Sequence, residues 1–388
     1  PESRQQSVNT MCSIHLSTRG RRCRHATSCL PTLFQIGKFA ALFWLASLLP
    51  GLWHPGYGYA NLTFSTKISR TELQKKREEE GLNVPLTIGM EDLAAGVSAA
   101  DKVTCDRIRG ALDRNDWYAA QQAFDTSEKT SAPVFNMLMV AALKLGNFEK
   151  GVKIYEELGL RGVEKTLKSY CCAIRLFSQL ERKDETMTVW DEARAAKLWN
   201  DSESANSLMC AALHAAAQFG DHAFATQLLD MMRDRGKVLN VLDYNQALDA
   251  CKNSLQHEAA MHLYSEMVRV KVTPNVITFA LLVGAHSGKP LKNITDVASQ
   301  MALYDIEPNV PFLEELVSAM LGARRQGLKI TDLQQARMVA SQSPASHLRA
   351  AQRVIGHVES QGVELSQLLR RFKAAMSWGL ENSGASET

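Results

Sequence analysis

The stretches VLDYNQALDACKNSLQHEAAMHLYSEMVRVKVTPN at 241–275 and VITFALLVGAHSGKPLKNITDVASQMALYDIEPN at 276–309 are two copies of one pattern. APVFNMLMVAALKLGNFEKGVKIYEELGLRGVEKT at 132–166 is a third. Their lengths are 35, 34 and 35 residues, and each carries an aromatic at the fourth place: Tyr244, Phe279 and Phe135. About ten apolar-rich residues follow, then a polar or glycine break, then a second helical pattern, then a short basic or polar turn. A fixed period of this length is the signature of a stacked array whose units bury their apolar faces only against their neighbours.

The first helix of each unit is small and apolar, as in Ala141-Ala142-Leu143, Ala211-Ala212-Leu213 and Ala247-Leu248, so neighbouring helices can approach closely. The second helix carries a stripe of helical period: Val152, Tyr155 and Leu158 in one copy, Ala259, Leu263, Tyr264 and Met267 in another, Ala223, Leu228, Met231 and Met232 in a third. Weaker copies fill 101–131, 167–205 and 206–240, with Gly220 matching Gly146 at the inner turn. In the 167–205 unit the tail WNDSESA reads as an extra loop. Val310 begins a degenerate seventh unit, and 331–378 suggests two or three capping helices, including one from Leu365 to Trp378.

Asp243-Tyr244-Asn245, the junction Thr273-Pro274-Asn275-Val276-Ile277-Thr278-Phe279, and Ile306-Glu307-Pro308-Asn309-Val310 recur in phase with the period. In these residues the chain resembles the pentatricopeptide repeat family over about 101–325. The Trp-Leu-Gly-Tyr pattern of tetratricopeptide repeats is missing. The resemblance implies an all-α fold: a right-handed α-solenoid of tandem helix-turn-helix repeats, six to seven of them at 101–325, with C-terminal capping helices and a tail at 326–388. It also implies binding of single-stranded RNA in a mitochondrion or plastid, with each repeat addressing one base through two or three side chains. Matched place by place, the fifth residues of the units are Asn136, Cys171, Cys210, Asn245 and Ala280, and the last residues are Thr166, Asn240, Asn275 and Asn309. In that family an Asn-Asn pair such as Asn245 with Asn275 reads a pyrimidine. A thiol at Cys171 or Cys210 is a weak donor and Ala280 has none, so these places depart from the pattern. The alternative reading of Asn245 is that it caps or fills a turn.

The chain has 388 residues, 45% of them hydrophobic, with Gly and Pro together at 34, so collagen-like and low-complexity classes are excluded. Its net charge of +3 is unevenly spread. Residues 1–60 carry six Lys/Arg against one acid, whereas 101–309 carry 24 basic and 27 acidic residues, a net of −3. The array is therefore no polybasic binder of duplex DNA. The same balance keeps a second partner open, an organellar protein segment held in the groove.

The eight cysteines show no C-x-x-C spacing and fit neither a zinc site nor a disulfide framework. No phosphate loop, H-E-x-x-H, G-x-S-x-G or deaminase motif is present. No enzyme activity, cofactor or metal is expected. Between Ser3 and Thr71 there is no Asp or Glu, a composition that marks a targeting leader at 1–60. Its apolar run Phe39 to Trp53 is shorter than the ~20 residues that span a bilayer. With Gly58-Tyr59-Ala60 as a cleavage site, it resembles the bipartite leaders of plastids acquired by secondary endosymbiosis; a mitochondrial presequence is the alternative. Membrane contact is expected only if 39–53 is retained. Residues 61–100 read as a linker without core-forming periodicity.

Overall fold

A computed structural model of the chain describes residues 98–128, 131–196, 202–324 and 330–383. The leader expected at 1–60, with its apolar run, and all but the last three residues of the linker expected at 61–100 lie outside the described residues. The described residues form sixteen α-helices, one 3-10 helix and no strand. In chain order these are α1 (Ala99–Asp113), α2 (Trp117–Asp125), α3 (Ala132–Lys144), α4 (Phe148–Leu160), α5 (Leu167–Gln179), α6 (Lys183–Ala195), α7 (Ser202–Phe219) and α8 (His222–Asp234). Then follow α9 (Val241–Asn253), α10 (His257–Arg269), α11 (Val276–Ala285), α12 (Leu291–Ser299) continued by the 3-10 helix Gln300–Tyr304, α13 (Val310–Met320), α14 (Leu333–Ser341), α15 (Ala345–Ser360) and α16 (Gln367–Ser383).

From α1 to α12 each odd-numbered helix packs antiparallel on the even-numbered one that follows, and that second helix packs on the first helix of the next unit. First helices also pack directly on one another in an unbroken row, from α1 through α13. Consecutive second helices do not pack on each other to a comparable extent among the described residues. The first helices thus form one continuous wall, backed by the second helices: an α-solenoid.

The second helices bury Ala260, Leu263, Tyr264 and Met267 in α10, Ala225, Leu228, Leu229 and Met232 in α8, and Thr186, Val189, Trp190 and Ala193 in α6. The spacing i, i+3, i+4, i+7 is the same in all three. The stripe read from the sequence in α8 and α10 was partly out of phase, because Ala223, Met231 and Ala259 are also apolar, yet Ala223 is exposed and Met231 and Ala259 are only half-buried. Each buried Leu or Met contributes roughly 1.5–3 kcal/mol, against a few tenths for helix propensity, so packing decides these helices. Aromatic pairs lock one unit to the next. Phe124 of α2 meets Phe135 of α3 edge-on at 5.0 Å, and Tyr264 of α10 meets Phe279 of α11 at 5.8 Å.

The junction between units has its own chemistry. A residue in the left-handed region stands four places before the cap of the next first helix: Gly162 before Thr166, Gly236 before Asn240, Lys271 before Asn275 and Asp305 before Asn309. That residue ends the second helix, and the cap then accepts from backbone N–H groups that the new helix leaves unpaired.

Two segments differ from the sequence reading. The tail WNDSESA was expected to be a loop, but Ser202 to Ala205 belong to α7, which is 18 residues long where α3, α5 and α9 have 13. The longer spacing of that unit is thus taken up as an extra helical turn at the start of a first helix. Beyond α13, residues 332–366 repeat the junction geometry. Asp332 caps α14, Gly362 is left-handed at φ +73°, and four places on Ser366 accepts from Leu369 N at the start of α16. The two caps are 34 positions apart, and α14 packs on α16 as first helices do elsewhere.

Candidate functional site

The last-place residues are the N-caps of the following first helices. Thr166 caps α5, Asn240 caps α9, Asn275 caps α11 and Asn309 caps α13. Three of these form reciprocal capping boxes, Thr166 with Ser169, Asn240 with Asp243 and Asn275 with Thr278. Capping fixes which end of each Asn amide points where. The oxygen must face the helix to accept, so the amide NH2 faces outward. Asn275 Oδ1 accepts from Thr278 N at 3.0 Å, Asn240 Oδ1 from Leu242 N at 2.9 Å and Asp243 N at 3.1 Å, and Asn309 Oδ1 from Phe312 N at 2.9 Å. The Nδ2 groups of Asn240, Asn275 and Asn309 hold no hydrogen bond among the described residues.

Two of the fifth-place residues join this arrangement. Asn245 Nδ2 donates to Asn275 Oδ1 at 3.2 Å, and Asn245 Oδ1 accepts from Thr278 Oγ1 at 2.8 Å. Three units earlier in the wall the same triangle is built with hydroxyls. Asn136 Nδ2 donates to Thr166 Oγ1 at 3.0 Å, and Asn136 Oδ1 accepts from Ser169 Oγ at 2.8 Å. Both fifth-place side chains are buried, Asn136 at 2% and Asn245 at 7% exposure, so their amides are set by the bonds that they make. Asn245 therefore caps nothing. It lies inside α9 and ties that helix to the cap of α11.

The other fifth places are built differently. Cys210 is not bonded to Asn240. Lys237 Nζ lies 3.4 Å from Cys210 Sγ and donates to Asp243 Oδ1 at 2.7 Å, an ion pair between two mostly buried side chains. Burial pulls the Lys237 ammonium down, but the Asp243 hydrogen bond outweighs it and holds its pKa above the usual value. Burial pushes the Cys171 thiol up to about 12 and the Cys210 thiol up as well, so both are protonated at neutral pH and unreactive. Ala280 and Asn309 line a cavity of about 470 Å³ together with Phe312, Glu314, Ile330 and Leu368. There the missing side chain leaves space, and α16 contributes to its wall.

Four residues beyond each fifth place runs a second row on the same face of the first helices: Val140, Arg175, His214, Asp249 and Gly284. Burial, helped by Arg175, drives His214 down to about 4, so it is neutral; its Nε2 is 3.2 Å from Gln179 Nε2. Asp249 is paired with Lys252 at 2.6 Å. Over Gly284 the wall is crossed by side chains. A Cβ there would stand 2.5 Å from Glu315 Oε1 and 2.8 Å from the Lys252 stem, and Arg324 holds Glu315 by two hydrogen bonds of 2.6 and 2.8 Å.

Among the candidate site residues the sequence reading did not include Ser169, Thr278, Asp243, Lys237 or Arg175, although Asp243 and Thr278 stand in the recurring junctions. The first three had a visible signal, a hydroxyl or acid three places after each cap. No cluster of three or more His, Cys, Asp or Glu side chains able to hold a metal ion occurs among the described residues.

A family model for the pentatricopeptide repeat domain matches residues 227–289, and one for the PPR repeat matches 133–163. Curated relatives include three pentatricopeptide repeat-containing proteins of Arabidopsis thaliana, 23%, 26% and 20% identical over 50%, 39% and 55% of this chain. The chain spans 24%, 27% and 30% of their lengths. Among solved structures, the pentatricopeptide repeat protein PPR10 from maize aligns with a TM-score of 0.43 at 13% identity, covering 82% of this chain and 52% of that one. PPR10 in complex with an 18-nt psaJ RNA element aligns at 0.40 and 16%, covering 77% and 45%. One match frames the α3–α4 hairpin and the other runs from α8 through α11, across the junctions that carry Asn240 and Asn275, so these repeats are similar to pentatricopeptide repeats.

Proposed function

We propose that the first-helix wall binds single-stranded RNA and that the chain is a non-catalytic RNA-binding adaptor. The observation that carries this reading is the repeated side-chain triangle, Asn136 with Thr166 and Ser169, and Asn245 with Asn275 and Thr278. It holds a polar pair in one orientation on each of two first helices, and at Asn275 it turns an unused amide donor away from the helix. Unstacked bases expose the carbonyl acceptors that such a donor meets, whereas an A-form duplex hides them in a narrow groove. The Asn245–Asn275 pair would take a pyrimidine, through its O2 or O4 acceptors. The pentatricopeptide repeat models matched at 133–163 and 227–289 support the same reading.

We further propose that the acid-poor stretch at 1–60 delivers the chain to a plastid, or alternatively to a mitochondrion, and that it there protects a transcript or holds it open for processing or translation. A fluorescent fusion of residues 1–60 tests the address; diffuse cytosolic signal would refute it. Equilibrium binding of labelled single-stranded oligomers at fixed salt tests the ligand. Submicromolar binding of a pyrimidine-rich strand and none of the matching duplex is expected. The net charge of −3 over 101–309 favours a second reading, a protein segment in the groove. Failure of every single-stranded oligomer to bind would leave that reading standing.

A further inference from the structure

We propose that Arg175 is the contact through which the wall grips a phosphodiester of the bound strand, an inference that rests on the RNA reading above. Arg175 is the ninth residue of α5, four beyond Cys171, in the row that continues through His214, Asp249 and Gly284. The charges elsewhere along this row are already answered. Asp249 is paired with Lys252, and Glu315, lying over Gly284, is held in a fork by Arg324. At the neighbouring fifth place Lys237 is spent on Asp243. Arg175 has no carboxylate partner among the described residues.

The groups whose charge Arg175 feels are Cys171, Cys172, Cys210 and His214. Each is neutral at pH 7, the thiols and the imidazole through burial. Arg175 is half-buried as a residue, and no carboxylate among the described residues neutralises it. Its guanidinium presents up to five N–H donors in a planar fork, and the complement of that fork is an anion with two coplanar oxygens, which a phosphodiester supplies. Its place also fits a strand. It sits one helical turn from the fifth places that face the bases, as a backbone must if bases point at Cys171 and Cys210. An array whose net charge is −3 cannot hold a strand by a diffuse field, so a local cation must do so.

The test measures binding of a labelled pyrimidine-rich oligomer across a salt gradient for wild type, Arg175→Gln, Arg175→Lys and the remote Arg353→Gln. Arg175→Gln should flatten the slope of log K against log salt by roughly 0.7 to 1, equally for every oligomer sequence. Arg175→Lys and Arg353→Gln should keep the wild-type slope. With the unaltered protein, one methylphosphonate linkage placed opposite repeats three and four should flatten the slope by the same amount, and should add nothing to Arg175→Gln. This arm needs no folded variant. Inorganic phosphate at constant ionic strength should not compete. An unchanged slope in Arg175→Gln, or in every methylphosphonate oligomer, overturns the contact while leaving the RNA reading intact, provided substitutions at Asn275 still alter base preference. Competition by inorganic phosphate marks a free-anion site and overturns it too. If no strand binds the wild type, or an acidic peptide binds at Arg175 instead, both fall.

Discussion

Asn275 performs two jobs with the two ends of one amide, and three substitutions separate them. Its Oδ1 caps α11 and accepts from Thr278 N and Asn245 Nδ2, while its Nδ2 faces outward. Asn275→Ala removes a cap worth about 1 kcal/mol and strips the buried Asn245 amide of its acceptor, for a total near 2 kcal/mol of stability. Asn275→Asp keeps the capping oxygen and places a negative charge at a helix N-terminus, favourable by about 0.3–1 kcal/mol, so its stability should equal or slightly exceed that of the parent. Outward, however, it replaces a donor with an acceptor. Loss of one hydrogen bond to a pyrimidine carbonyl is worth about 1 kcal/mol, roughly fivefold in Kd. The Asp variant should also shift preference toward bases that offer an amino group, such as cytosine through N4. Asn275→Ser, with a shorter cap, should recover most of the stability and little of the affinity. Urea melts followed by circular dichroism give the first quantity. Fluorescence anisotropy with oligomers differing at one position gives the second. If Asp and Ala variants lose the same affinity with the same base profile, Asn275 is a cap and nothing more.

Other outcomes follow from the same structure. His214 is held neutral when folded, with a pKa near 4 against about 6.5 unfolded, so the unfolded chain binds the extra proton. Its contribution is complete above pH 6.5 and is lost as pH falls toward 4, costing about 2 kcal/mol between pH 7 and 5; His214→Gln should flatten that limb of a stability–pH curve. Gly284→Ala drives a methyl into Glu315 and Lys252 and should cost about 1–3 kcal/mol in a denaturant melt, more than the same change at the open Gly356. Lys271 adopts φ +64° where Gly162 and Gly236 stand in other units, so Lys271→Gly should stabilise the array by roughly 1 kcal/mol; a loss of stability would show that the Lys271 side chain makes a compensating contact.

The repeat was legible because four of its units close on chemistry that the backbone demands, a left-handed residue and, four places on, a capping Thr or Asn. Asn240, Asn275 and Asn309 announce this in the sequence. The extra turn of α7 was not legible, since Ser202, Glu203 and Ser204 suit a loop, a cap or a first turn equally well. The hairpin at 332–366 was hidden because Asp332 and Ser366 cap without the Pro-Asn junction. Of the polar triangles, one edge was visible in Asn245 and Asn275; the third corner, Thr278, lies three places after its cap and belongs to another helix than Asn245. Row members such as Arg175 carry no local signature at all. Their meaning comes from which neighbours are already paired, and only packing decides that.

The capping role also explains why base reading need not be uniform along the wall. A last-place Asn keeps its outward donor as long as it caps, whatever stands at the fifth place. What varies is whether that donor is steadied from the preceding helix. Asn245 steadies Asn275, and Asn136 steadies Thr166, through direct hydrogen bonds. Cys210 gives Asn240 no such bond, and the Lys237–Asp243 pair occupies the ground between them. Ala280 leaves Asn309 beside an open cavity. Discrimination should therefore be sharpest at the second and fifth units, where the polar pair is rigid before the ligand arrives and loses least entropy on binding. Between them, Arg175 would hold the backbone where the bases are read least. Introducing Asn at Cys210 tests this directly. With Asp243 and Lys237 in place the new amide has a carboxylate to donate to but no hydroxyl to accept from, so Cys210→Asn alone should add little selectivity. Cys210→Asn with Asp243→Thr and Lys237→Met rebuilds the Asn245 triangle and should create a new base preference at the fourth unit. If the single and triple variants discriminate alike, steadying of the cap is not what sets the readout.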